Sequence, residues 1–190
     1  LLAAGFGACK DDDKAPLQIP TAYDGAAFQT NAAPQLDVLA RFTALVNEAK
    51  KGRTAGKLVS LDSLNYWYTT GNPSLQSLTS TYYAGKTTDW LTELALASGN
   101  AYTPGTPAGN GGTYNGYLFE ENGLELEQLL DKGHFGALLF QHFNDLAAGA
   151  LTEATVDQML AIFGANPTFP NSYQANLHAQ PDKFIANYAA

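Results

Sequence analysis

Asn122-Gly123-Leu124-Glu125-Leu126-Glu127-Gln128-Leu129-Leu130-Asp131-Lys132-Gly133-His134-Phe135-Gly136-Ala137-Leu138-Leu139-Phe140 decides the fold class. Leu126, Leu129, Leu130, Gly133, Ala137, Phe140 and Leu146 recur at helical spacing, which predicts one long amphipathic helix reaching about Ala148. Asn122 can cap it, with Glu125 closing an Asn-x-x-Glu box. Gly133 and Gly136 would let a neighbouring helix approach closely.

Shorter helical patterns flank this segment. From Pro34, favourable at a first helical position, Leu36, Leu39, Phe42, Thr43 and Val46 form an apolar stripe that ends at Lys50-Lys51-Gly52. Ser60 or Asp62 can cap a helix carrying Leu64, Trp67 and Tyr68. Pro73 opens another through Tyr83, and Thr88-Asp89 begins a third that ends before Gly99. Residues 99–116, with six Gly and two Pro, read as a long irregular loop. Thr152 caps a helix closed by Gly164, residues 166–171 are a loop, and Pro181 opens a last helix. No strand alternation is evident, so the expected fold class is all-α, a helical bundle.

The amino terminus speaks to location. Residues 1–8 are apolar or small and uncharged, too short to span a bilayer, and run into Cys9, the single cysteine of the chain. A lone cysteine cannot form an internal disulfide. Phe6-Gly7-Ala8-Cys9 resembles a bacterial lipobox, with Phe6 where Leu is usual, and implies lipidation of Cys9. Lys10-Asp11-Asp12-Asp13 is similar to the acidic signal that sends some lipoproteins to the outer face of the outer membrane. The expected organisation is a signal-peptide remnant over 1–8, a lipidated terminus and tether over 9–33, and a helical domain over 34–190 that continues beyond Ala190. In the tether, Ile19-Pro20-Thr21-Ala22-Tyr23 and Phe28 can dock on the body as an extended strip. A formal net charge of -8 without a basic patch argues against nucleic acid as a partner.

The chemistry concentrates where the long helix begins. Glu121, Glu125 and Gln128, spaced four and three apart, would share one helix face and form a candidate ligand-binding stripe. Equally, acidic residues gather at a helix start because negative charge is favoured there. Gly123-x-Glu125-x-x-Gln128, followed by Gly133, resembles the imelysin motif Gly-x-His-x-x-Glu, with Glu125 in the His place and Gln128 in the Glu place. The chain is similar to an uncharacterised lipoprotein family related to imelysins. That resemblance implies an imelysin-like bundle, the amino-terminal half of a two-bundle protein, with envelope functions linked to iron.

Imelysins were classed as metallopeptidases, so the resemblance also brings a divalent metal ion into view as cofactor, with Glu125 its candidate ligand. Gln128 is a neutral, weak ligand, and a zinc site of the peptidase kind is doubtful. His134 and His142 lack the His-x-x-x-His spacing of helical zinc sites, and His178 falls in a loop. No catalytic residue is assigned. The expectation is a surface lipoprotein that binds a small ligand or envelope protein in metal, iron or nutrient acquisition; the alternative is a metal-dependent hydrolase using Glu125.

Overall fold

A computed structural model describes residues 24–106, 109–164 and 185. Cys9, Lys10, Asp11, Asp12, Asp13, the docking strip at 19–23, the loop at 166–171, His178 and the helix expected from Pro181 lie outside these residues.

The described chain is predominantly helical, in keeping with the all-α class. Helix α1 (Phe28–Asn31) precedes α2 (Ala33–Lys50), which carries Pro34 in its first turn and runs into a 3₁₀ turn, Lys51–Arg53. Helices α3 (Leu61–Thr69), α4 (Leu75–Leu78) and α5 (Thr81–Ala97) follow. A hairpin of β1 (Gly112–Tyr114) and β2 (Tyr117–Phe119) leads to a continuous helical rod over 126–147. The rod consists of α6 (Leu126–Gln128), two π-helical stretches (Leu129–Gly133 and Phe135–Phe140) and α7 (Gln141–Ala147). Helix α8 (Glu153–Phe163) closes the described part.

Helix α2 is the central element. Val38, Phe42, Leu45, Val46 and Ala49 are fully buried, packed with Leu64 and Tyr68 of α3, Leu91 and Leu94 of α5, and Leu130 and Leu138 of the rod. The buried face is rotated slightly from the expected stripe, since Leu36 and Thr43 are only half-buried. Ser60 and Thr152 cap their helices as expected, accepting from Ser63 and Thr155 backbone N–H, and Gly164 ends α8 with φ 92°.

Several expectations are corrected. Phe28 docks, with Ala32 and Ala161, but from a helical turn ahead of the boundary expected at residue 34 rather than from an extended strip. The break expected before Thr88 lies earlier, at Thr79-Ser80. Both residues are extended there, so Tyr82 and Tyr83 belong to the first turn of α5 and Gly85 is carried inside the helix. The loop at 99–116 contains a strand. Its Asn115-Gly116 pair adopts positive φ at both positions, 48° and 80°, the geometry of the tight turn that matches strand twist and that Asn-Gly favours. Gly112 pairs with Phe119 and Tyr114 with Tyr117.

The rod carries the largest correction. Glu120 accepts from the backbone N–H of Asn122 and Leu124 and from the Asn122 side chain, so this turn is organised by Glu120. Gly123 sits at φ 89° and the helix begins only at Leu126, after Glu125, whose side chain makes no cap bond. Asn122 therefore caps no helix. Leu126, Leu130, His134 and Leu138, four apart, are all buried. In a regular α-helix each such step drifts about 40° around the axis, and the wider i→i+5 turns offset that drift. Phe140 of the expected apolar face is half exposed. Among the described residues no helix packs on Gly133 or Gly136; a Cβ at either would have nothing within 4 Å.

Candidate functional site

The π-pitched rod turns polar groups inward. Glu127 and Asp131 are buried, at 0% and 1% exposure, and face the carboxyl end of α2, where Lys50 and Arg53 reach them. Basic residues suit that end because the last helical carbonyls carry partial negative charge. Lys50 Nζ donates to Asp131 Oδ2 at 2.9 Å and lies 3.7 Å from Glu127 Oε1. Arg53 donates Nε–H to Glu127 Oε2 at 2.8 Å, with Nη2 2.6 Å from the same oxygen. The guanidinium also lies over the Tyr117 ring, 5.3 Å from its centroid. The hairpin in turn is tied to the 3₁₀ turn by the Thr113 hydroxyl, which donates to Gly52 O at 2.8 Å.

The sequence-derived candidates sit at the edge of this cluster or away from it. Glu125, half-buried, approaches Arg53 Nη2 at 3.6 Å. Its carboxyl is held above the usual range, first by burial and then by the neighbouring Glu127, with Arg53 opposing. Gln128 donates Nε2–H to Glu127 Oε2 at 3.2 Å, so the motif's second position serves the buried carboxylate. Lys132 lies 3.8 Å from Asp131.

Glu121 does not join Glu125 and Gln128 on a helix face, because residues 121–125 are not helical. It lines a separate small cleft of about 180 Å³ with Glu93, Glu120 and Asn110. Burial, followed by the charges of Glu120, Asp89 and Glu121, raises the Glu93 carboxyl. Burial works in the same direction on Glu120, but the hydrogen bonds from Asn122 and Leu124 outweigh it and hold that carboxyl below its usual value.

The cluster sets three carboxylates against Lys50 and Arg53, with Lys132 at its rim. Glu125 Oε1, Glu127 Oε1 and Asp131 Oδ1 have no hydrogen bond among the described residues. Among those residues no three His, Cys, Asp or Glu side chains are placed to hold a metal ion together. Each carboxylate of this cluster thus faces a cation. Such a cluster locks the rod to α2 electrostatically, and a ligand would have to displace Lys50 or Arg53 to reach it.

Neither Glu127 nor Asp131 stands among the candidates read from the sequence, where Glu127 counts only as one of the acidic residues gathered at a helix start. Their signal was present in the spacing: Glu127 and Asp131 stand four apart beside Leu126 and Leu130, so the two pairs share a face once the pitch widens.

The two described histidines, His134 and His142, are buried. His134 is buried among the rings of Phe42, Tyr68 and Trp90, with Nε2 3.0 Å from Thr87 Oγ1. Burial pushes its pKa down to about 4, outweighing the opposing influence of the nearby Leu129 and Leu130 backbone; Nδ1 is buried with no hydrogen-bond partner among the described residues. His142, beside Gln35, is lowered by burial as well, with Asp145 opposing.

A second concavity lies on the outer side of the rod. A cleft of about 320 Å³ runs between the first turns of α5 and the π-helical stretch, lined by Ser80, Tyr83, Trp90, Leu129, Gly133, Gly136, Ala137 and Gln141. Its mouth is tied by Ser80 N–H, which donates to Ala137 O at 2.8 Å. No helix among the described residues is long and apolar enough to cross a membrane. No protein-family model, curated protein or solved structure matches the chain.

Proposed function

We propose that this chain is a non-catalytic, ligand- or partner-binding lipoprotein, held through a lipid on Cys9 at the outer face of the outer membrane and serving metal, iron or nutrient acquisition. The observation that carries the non-catalytic part is the pairing of Glu127 and Asp131 with Arg53 and Lys50. A general base or metal ligand needs a free lone pair facing substrate; Glu127 and Asp131 each commit one oxygen to Arg53 or Lys50, and their other oxygens are buried. The resemblance of Phe6-Gly7-Ala8-Cys9 to a lipobox and of residues 10–13 to an export signal supports the location. The imelysin-like motif, with Glu125 and Gln128 in place of His and Glu, supports the family and the acquisition role.

Two measurements test this. Labelled palmitate fed to cells expressing the gene should enter the wild-type protein and be lost in Cys9→Ser, which should leave the membrane fraction; label retained in the variant would overturn the anchor. For the body, calorimetry against metals and small nutrients should detect binding, and a flat response to all of them would sink the binding role.

The rival, a metal-dependent hydrolase, draws support from the three carboxylate oxygens that lack hydrogen bonds. Elemental analysis separates the two. A stoichiometric transition metal in the purified protein, lost in Glu125→Ala together with a peptide-hydrolysing activity, would favour the hydrolase.

A further inference from the structure

Among the described residues nothing requires glycine at Gly133 or Gly136. Neither has a positive φ, and a Cβ at either meets open space. Each costs about 1 kcal/mol relative to Ala inside a helix. They form the floor of the cleft beside Tyr83 and Trp90, on a π-helical segment, and π-helical turns concentrate at functional sites. Bare backbone on a helix face admits a ligand to close range.

The walls describe what would fit. Tyr83 and Trp90 form a tilted aromatic pair, ring centroids 6.1 Å apart and planes inclined at 46°, and both line the cleft. Ser80 is the N-cap of α5, yet its hydroxyl makes no cap bond, whereas Ser60, Ser74 and Thr152 all cap theirs. That hydroxyl is therefore available at the cleft. Across from it, Gln141 gives an amide N–H to Asp145 at 2.8 Å, which fixes the orientation of its amide.

Among the described residues, no charged side chain lines the cleft. A charged ligand would lose hydration without meeting a counter-charge, so the site selects a neutral one. Aromatic faces carry negative charge density and attract polarised C–H bonds, while Ser80 and Gln141 offer hydroxyl-matching groups. The volume falls at the small end of ligand pockets, which run from about 300 to 1,000 Å³.

We infer that the cleft between α5 and the π-helical rod binds a neutral sugar ring, its C–H face stacked on Trp90 and Tyr83 and its hydroxyls bonded to Ser80 and Gln141. This rests on the binding-protein role proposed above and gives it a site and a ligand class.

The test uses the chain with Trp67→Phe, so that Trp90 is the sole indole reporter, and titrates glucose, N-acetylglucosamine, maltose and cellobiose to about 10 mM, which reaches millimolar affinities. At least one should give saturable fluorescence change and calorimetric heat. Gly136→Leu, which fills the cleft from its floor without touching the core, and Tyr83→Ala should each weaken binding about ten-fold or more with the melting temperature kept. Saccharide binding that both variants leave intact overturns the cleft. No saccharide binding, with a metal or charged nutrient bound instead, overturns this inference while the binding-protein role stands; silence toward every ligand removes both.

Discussion

Replacing Lys50 with Met should lower stability by about 3 kcal/mol, measured as a shift in urea midpoint at neutral pH with unchanged slope. Lys50 is the hydrogen-bonded cation of Asp131, which is 1% exposed, and the second cation near Glu127, at 0%. Removing one partner of a buried pair leaves a charge that has lost its water and its counter-ion, and costs about 3–5 kcal/mol. The lower end applies because Lys50 keeps 28% exposure, so water can follow the substitution, and because Lys132 stays 3.8 Å from Asp131. In a domain of this size the loss corresponds to about 6–12 °C in melting temperature.

Two companion variants make the attribution specific. Glu125→Ala, at the motif position, should cost under about 1 kcal/mol, because its ion pair is long and partly solvated. Lys50→Met combined with Asp131→Leu should recover part of the single-variant loss, since removing both members of a pair leaves nothing unpaired. A Lys50→Met loss below about 1 kcal/mol, or a larger loss from Glu125→Ala, would show that the cluster does not lock the rod to α2.

Acid should weaken the fold through His134 in a defined window. With its pKa at about 4 in the folded chain against an ordinary 6.5, the folded state holds the imidazole neutral while the unfolded state takes up a proton. The contribution is complete above pH 6.5 and is lost as pH falls through about 4. Over that interval the loss is about 3 kcal/mol. His134→Phe keeps a ring among Phe42, Tyr68 and Trp90, and Thr87 retains its own acceptor in Tyr83 O, 2.8 Å away. Between pH 7.5 and 4 the wild type should therefore lose about 3 kcal/mol more than His134→Phe. The subtraction removes the Glu120, Glu125, Glu93 and His142 titrations common to both. Equal losses would mean that His134 is reached by water in the folded state.

The outer elements were legible where local chemistry decides. Ser60, Thr152 and Gly164 mark helix ends through groups within four residues of themselves, and Pro34 marks the start of α2 for the same reason. Asn115-Gly116 carried an equally local hairpin signal, masked by the glycine-rich surroundings that made residues 99–116 resemble a featureless loop. Tyr82 and Tyr83 continue by spacing the helix that Pro73 signals, yet belong to α5, because the chain is extended at Thr79-Ser80.

The candidate site was legible as a region and misplaced as a set of side chains. Glu121, Glu125 and Gln128 share a face only on an α-helix that starts at Asn122, and Glu120 prevents that start by taking the backbone N–H groups of Asn122 and Leu124. His134 shows the same division. Its identity announces a titratable group, whereas its depressed pKa comes from rings supplied by α2, α3 and α5.

By itself, the sequence determined the helical class, most of the caps and the place along the chain where charge gathers, because spacing and capping act within a turn or two. Only the tertiary structure decided which carboxylates face inward. Glu127 and Asp131 are buried because the rod widens to π pitch over the core and because Lys50 and Arg53, more than 70 residues earlier in the chain, arrive opposite them. The same widening turns Gly133 and Gly136 outward and opens the cleft beside Trp90, a consequence of packing that no local spacing rule contains.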